Sequence, residues 1–174
     1  MADLNGKNIA IIATNGFEDS ELTSPKEAVE SAGATTKVVS TETGEIEGKK
    51  GAKVAVDAKT ADASVDEFDA LILPGGTINA DTIRADADAV ALVKAFKDAG
   101  KPIGVICHGG WILADADLLK GVKLTSVANV KTDLANAGAN WVDEEAVVDS
   151  GFISSRTPDD LPAFNATLME EFAK

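Results

Sequence analysis

One cysteine, one histidine, no tyrosine and 16 basic residues against 29 acidic ones set the first limits on this 174-residue chain. A lone thiol rules out an intramolecular disulfide. With one histidine beside it, a zinc site would need carboxylates in unusual number, so no metal and no cofactor is expected. The formal net charge of -13 argues against binding to a nucleic-acid phosphate backbone or an anionic membrane surface. No apolar run approaches the ~18 residues of a membrane span. The start Met1-Ala2-Asp3-Leu4 also lacks the basic and apolar stretches of a signal peptide, which makes a cytoplasmic location the expectation.

What is present is an ordinary globular composition, 45% hydrophobic and 26% charged, with no repeat and no linker. One domain over residues 1–174 is expected. Short apolar runs alternate with helical periodicities. Lys7 to Ala13, Thr35 to Ser40, Leu71 to Leu73 and Ile103 to Ile106 read as strands, most of them apolar enough to be buried on both faces. Val90, Val93 and Phe96 recur at helical spacing before the stop at Gly100. Leu161, Phe164, Leu168 and Phe172 form the stripe of a last helix that starts after Thr157-Pro158-Asp159-Asp160. Ser24-Pro25-Lys26-Glu27 reads as a helix start, with a start near Asp19 and Pro25 inside the helix as the other option. Lys53 to Asp57 alternates as an edge strand would, and Ala146 to Ser154 suggests a hairpin turning at Ser150-Gly151. This alternation of strand and helix predicts an α/β fold with a mostly parallel sheet covered on both sides.

The chemistry concentrates where the run Ile103-Gly104-Val105-Ile106 ends in Cys107-His108-Gly109-Gly110, ahead of a helix from Trp111 to Asp117. A nucleophile on such a strand-turn-helix elbow sits in a sparsely allowed backbone conformation, and small neighbours make it sterically possible. An ordinary thiol near pKa ~8.5 is only about 3% ionised at neutral pH. The amides and dipole of the following helix predict a value lowered to roughly 4–7. Two further segments end buried strands with small or acidic residues: Thr14-Asn15-Gly16-Phe17-Glu18-Asp19-Ser20-Glu21 and Pro74-Gly75-Gly76. The Gly75-Gly76 pair lacks the spaced glycines and Lys-Ser/Thr of a phosphate loop.

Gly16-Phe-Glu-Asp-Ser-Glu-Leu22, Leu73-Pro-Gly-Gly76 and Ile106-Cys-His-Gly-Gly-Trp111 together resemble the signatures of the PfpI/DJ-1 superfamily, in its PfpI-like branch of protease I and general stress proteins. The resemblance extends through Lys131 to Gly138, Trp141 to Glu145 and Ser155 to Asp160. It implies a flavodoxin-like three-layer sandwich with a cysteine nucleophile elbow. Carried over by motif, Cys107 is the nucleophile, His108 the adjacent base and Glu18 the carboxylate partner with a raised pKa. The backbone amides of Gly76 and His108 form the oxyanion hole. Glu21 is read as a first-turn acid and Trp111 as a packing residue. Asp81 occupies the place of an acid that orients the histidine from a neighbouring subunit, which implies a homodimer or higher homo-oligomer. The implied activities are glyoxalase III-like or deglycase-like removal of 2-oxoaldehydes, acting on a small aldehyde or a glycated protein. A PfpI-type cysteine peptidase, or an oxidation-sensing or chaperone-like stress protein without turnover, are the alternatives. An 18-kDa domain has little room for a deep peptide cleft.

Overall fold

The computed structural model describes residues 2–174. Its strands are β1 (Asn8–Ile12), β2 (Thr35–Ser40), β3 (Glu45–Glu47), β4 (Lys53–Ala55), β5 (Ala58–Lys59), β6 (Ala70–Leu73), β7 (Ile103–Ile106), β8 (Lys123–Leu124), β9 (Asn140–Trp141), β10 (Val147–Asp149) and β11 (Phe152–Ser155). The helices are α1 (Asp19–Ser31), α2 (Thr77–Arg84), α3 (Ala87–Asp98), α4 (Trp111–Asp115), α5 (Lys131–Asn136) and α6 (Leu161–Phe172). The main sheet runs β10-β11-β7-β6-β1-β2-β5, parallel throughout except for the β10–β11 hairpin.

The apolar runs become central strands because helices cover both faces and no polar side needs to face water. Helices α1 and α6 pack together on one face, over Ile9, Ile11, Ile72 and Ile106, with Phe164 of α6 buried among them. Helices α2, α3 and α4 cover the other, over Leu71, Leu73 and Val105, with Phe96 of α3 buried there. Phe17, Phe96, Phe152 and Phe164 are fully buried, and burying a side chain of that size contributes about 1.5–3 kcal/mol. The last helix buries the predicted stripe of Leu161, Phe164, Leu168 and Phe172.

Several boundaries differ from expectation. Of the two starts that the sequence allowed, helix α1 takes the one at Asp19, so Pro25 lies inside it, buried, and the Ser24 start is unused. Residues 77–84, which carry no long apolar period, form α2 directly after Gly76. Lys53 to Ala55 does not edge the main sheet; it pairs with β3 in a separate hairpin. The elbow is a 3-10 turn, Cys107–Gly110, and the helix after it ends at Asp115. These small pieces converge at the carboxyl ends of β1, β6 and β7, where an open parallel sheet reverses its winding and leaves a crevice.

Candidate active site

Cys107 leaves β7 with a φ of 62°, the left-handed region that L-residues avoid. The neighbouring backbone makes that geometry possible. A Cβ on Gly75 would come within 2.8 Å of Cys107 Cβ and 2.3 Å of Glu21 Oε1, so glycine there lets the β6 loop close over the elbow. Gly76 has φ 91° and is pressed against the backbone of Gly16 and Phe17, which fixes its amide toward the sulfur. Asn79, buried on α2, accepts from Thr14 N–H at 2.7 Å and donates to the carbonyls of Pro74 and Gly75. It ties the end of β1 to the end of β6.

The carboxyl group beside the thiol belongs to Glu21. Glu21 is fully buried, and its Oε1 accepts from Gly75 N–H at 2.9 Å. Among the described residues its Oε2 has no hydrogen-bond partner, and the adjacent titratable group is the Cys107 thiol. Burial first, and the Glu18 charge second, push Glu21 up to about 7.

Glu18, the residue expected in that role, is turned the other way. It precedes the first residue of α1, and its carboxylate is held by Lys49 at 2.5 Å and Lys50 at 3.2 Å. Burial acts to raise its pKa, but the two lysines together outweigh it and lower the value, opposite to the shift expected from the sequence. The physical reason is the helix boundary. Glu18 is the cap residue, with extended backbone at φ -71° and ψ 116°, so it lies outside the helical spiral and the rule that i and i+3 share a face does not apply to it. Its carboxylate goes to the hairpin turn, while Glu21, inside the first turn of α1, is buried against Gly75 beneath the elbow.

The thiol differs from expectation as well. Burial, then the charge of Glu21, push Cys107 up to about 12, while the amides of His108 and Gly76 pull the other way. The helix that was to lower it is one 3-10 turn followed by five residues, too short to supply a full dipole. Two acids this close titrate together. With Glu21 at about 7 and Cys107 at about 12, the pair carries a single negative charge between those values.

His108 Nδ1 lies 3.3 Å from Cys107 Sγ and its Nε2 lies 3.4 Å from Thr77 Oγ1. Burial, then the charge of Lys49, lower its pKa, which favours the neutral ring. Trp111 packs edge-on to that ring at 5.3 Å and donates from Nε1 to Asp133, with Arg84 over its face. Trp111 therefore walls the histidine. Asp81 is exposed on α2, and among the described residues it makes no hydrogen bond or ion pair. A cavity of about 380 Å³ lined by Lys7, Asp69, Lys101, Gly151 and Glu171 lies at the opposite, amino-terminal end of the strands, away from the thiol. Among the described residues, no helix is long and apolar enough to cross a membrane.

Thus Cys107, His108, Glu21 and the Gly76 and His108 amides come together, with Lys49 and Lys50 at the mouth. Lys49, Lys50 and Asn79 carried no local signal, since each reaches the site from a loop or helix set by long-range pairing.

A doubly covered parallel sheet with a strained cysteine at the end of a central strand defines the class of α/β proteins built on a nucleophile elbow. The chain belongs to the DJ-1/PfpI family, whose family model matches residues 7–171. An uncharacterised protein of Staphylococcus saprophyticus is 50% identical over 168 residues, 95% of this chain and 97% of that one. A Bacillus subtilis protein named "Putative cysteine protease YraA" is 46% identical over 160 residues, covering 91% of this chain and 94% of its own. Among solved structures, Drosophila melanogaster DJ-1beta superposes with a TM-score of 0.89 at 25% identity, covering 96% of this chain and 90% of that one.

Proposed function

We propose that this protein is a cysteine-dependent enzyme that converts small 2-oxoaldehydes, free or as adducts on proteins, to 2-hydroxy acids. The observation that carries the reading is the buried Glu21 carboxyl, set beside Cys107 with one oxygen unpartnered and a pKa raised to about 7. A group poised near neutrality can both give and take a proton.

Proton transfer from the thiol to Glu21 makes a thiolate and a carboxylic acid. The thiolate forms a C–S bond to the aldehyde carbon, and the new alkoxide faces the amides of Gly76 and His108. Glu21 returns its proton to that oxygen, giving a hemithioacetal. The ionised Glu21, or His108 Nδ1, then removes the hydrogen from C1, and a proton is delivered to C2, leaving a thioester and a C2 hydroxyl. Water hydrolyses the thioester to the 2-hydroxy acid and restores the thiol. The sum adds one water to the 2-oxoaldehyde and needs no external oxidant or reductant.

A peptidase reading has one observation in its favour, the printed name of the Bacillus subtilis relative. It would use the same Cys107 and His108, and it requires His108 to be oriented by a second group. We propose that Asp81 of an adjacent copy fills that role in a homo-oligomer. The test compares wild type with Cys107→Ala for lactate formation from methylglyoxal and for cleavage of a fluorogenic peptide. Lactate formation lost in Cys107→Ala supports the carbonyl reading. Peptide cleavage without lactate formation overturns it.

A further inference from the structure

The β3–β4 turn is fixed against the site more firmly than a surface loop of Gly and Lys would suggest. Asp19 Oδ1 accepts from Lys50 N–H at 3.0 Å and its Oδ2 from Ala52 N–H at 2.9 Å. Asn15 Oδ1 accepts from Glu47 N–H at 2.8 Å, and Gly16 N–H donates to Glu47 O at 2.9 Å. Lys49 N–H donates to Phe17 O at 2.9 Å. A Cβ on Gly48 would lie 2.2 Å from Asp19 Oδ1, so the turn and the carboxylate can meet this closely only with glycine there. All of these anchors come from Asn15 to Asp19, the stretch that leads from β1 into α1, with Glu18 within it and Glu21 in the first turn that follows.

The clamp delivers two cations to the mouth of an otherwise acidic protein. Lys49 is half exposed and its ammonium is bonded to Glu18. Lys49 is raised by that bond first, and also by the charges of Glu21 and Cys107. The charged and titratable groups facing the Cys107–Glu21 pair are therefore Glu18 beside the start of α1, His108 from the elbow, and Lys49 from the turn, while Lys50 sits behind Lys49 on Glu18. The β6–α2 loop contributes only amides.

We infer that the β3–β4 turn is a positioning device, clamped by Asp19 and Asn15, that holds the Lys49 ammonium where it favours the singly negative state of the Cys107–Glu21 pair. Glu18 is the anchor for that ammonium and takes no part in proton transfer. The inference concerns the protonation of the pair and does not depend on which substrate is turned over.

The test is the rate of iodoacetamide alkylation of Cys107 against pH, read by mass, for wild type, Lys49→Gln, Lys49→Arg, Asp19→Ala and the Asp19→Ala/Lys49→Gln double variant. Removing a charge that acts on the pair across a half-exposed mouth should raise the first midpoint by about 0.5 pH unit or more in Lys49→Gln. Lys49→Arg keeps the charge and should keep the midpoint. Asp19→Ala should move it in the same direction as Lys49→Gln, and the double variant no further than Lys49→Gln alone, because both act through one ammonium. A folded Lys49→Gln with an unchanged midpoint overturns the inference. So does Lys49→Arg shifting as far as Lys49→Gln, or additive shifts in the double variant. Lactate formation is recorded separately: its absence with these shifts present sinks the carbonyl reading and leaves the clamp standing.

Discussion

Glu18 and Glu21 are separated by one helical turn and live in opposite surroundings. At the mouth, Glu18 is itself buried but meets two lysines that are half or more exposed, and its carboxylate is held ionised. On the floor, Glu21 meets one amide, a thiol and apolar side chains, and it keeps its proton to about 7. In the proposed reaction the same functional group is thus an anchor in one place and a proton carrier in the other. Environment decides the role, and the direction of the pKa shift reports it.

The comparison breaks most readily on turnover. Glu21→Gln can still accept from Gly75 N–H but cannot carry a proton, so kcat/KM for methylglyoxal should fall by about 100-fold or more, the usual scale for a lost acid-base group. Glu18→Gln should stay within about tenfold, since it loosens Lys49 and leaves the pair intact. Comparable losses in both variants would remove the distinction.

Stability against pH sharpens it. The folded-state pKa of Glu21 lies above its unfolded value of 4.5. Between 4.5 and about 7 the folded protein therefore binds more protons than the unfolded chain, and this residue's contribution to stability falls as pH rises through that window. At pH 8, with each unit worth about 1.4 kcal/mol, Glu21→Gln should be the more stable protein by about 3 kcal/mol in urea unfolding, and near pH 4 the two should converge. A wild type whose stability rises from pH 5 to 7 relative to Glu21→Gln would contradict the assignment.

The smallest of the three effects is at the mouth. Glu18 has a depressed folded pKa, so its contribution is present above the unfolded value and lost as pH falls through the folded one. Its partners are largely exposed, which leaves Glu18→Gln costing about 0.5 kcal/mol at pH 7, and less in 1 M salt. A loss several times larger, insensitive to salt, would mean that Glu18 is part of the core.

Much of this was legible in the chain. Ile103 to Ile106 followed by Cys-His-Gly-Gly named the elbow, because a short apolar run ending in small residues has few other uses. The stripe from Leu161 to Phe172 named the last helix for the same reason of period. Which acid meets the thiol was not legible. Both candidates sit at the start of one helix, and the choice depends on how α1 is rotated against α6 and β6, a tertiary fact. Lys49 was hidden for a related reason: β3 and β4 are three residues each, and their turn acquires its position from the stretch Asn15 to Asp19 some thirty residues earlier. The segment from Val122 and the Trp141 region read as extended, but that Lys123–Leu124 and Asn140–Trp141 pair with each other in a separate sheet was not legible, since strands so brief carry no pattern that names their partner.

The left-handed backbone at Cys107, φ 62°, makes the reactive residue a liability to the fold that carries it. Glycine at this position would relieve the contact between Cβ and the following carbonyl, worth about 1 kcal/mol, whereas alanine would retain it. Cys107→Gly should therefore melt above Cys107→Ala although both are inert. Drift at this codon would be rewarded with a sturdier protein, so a cysteine that persists here persists against the pull of stability.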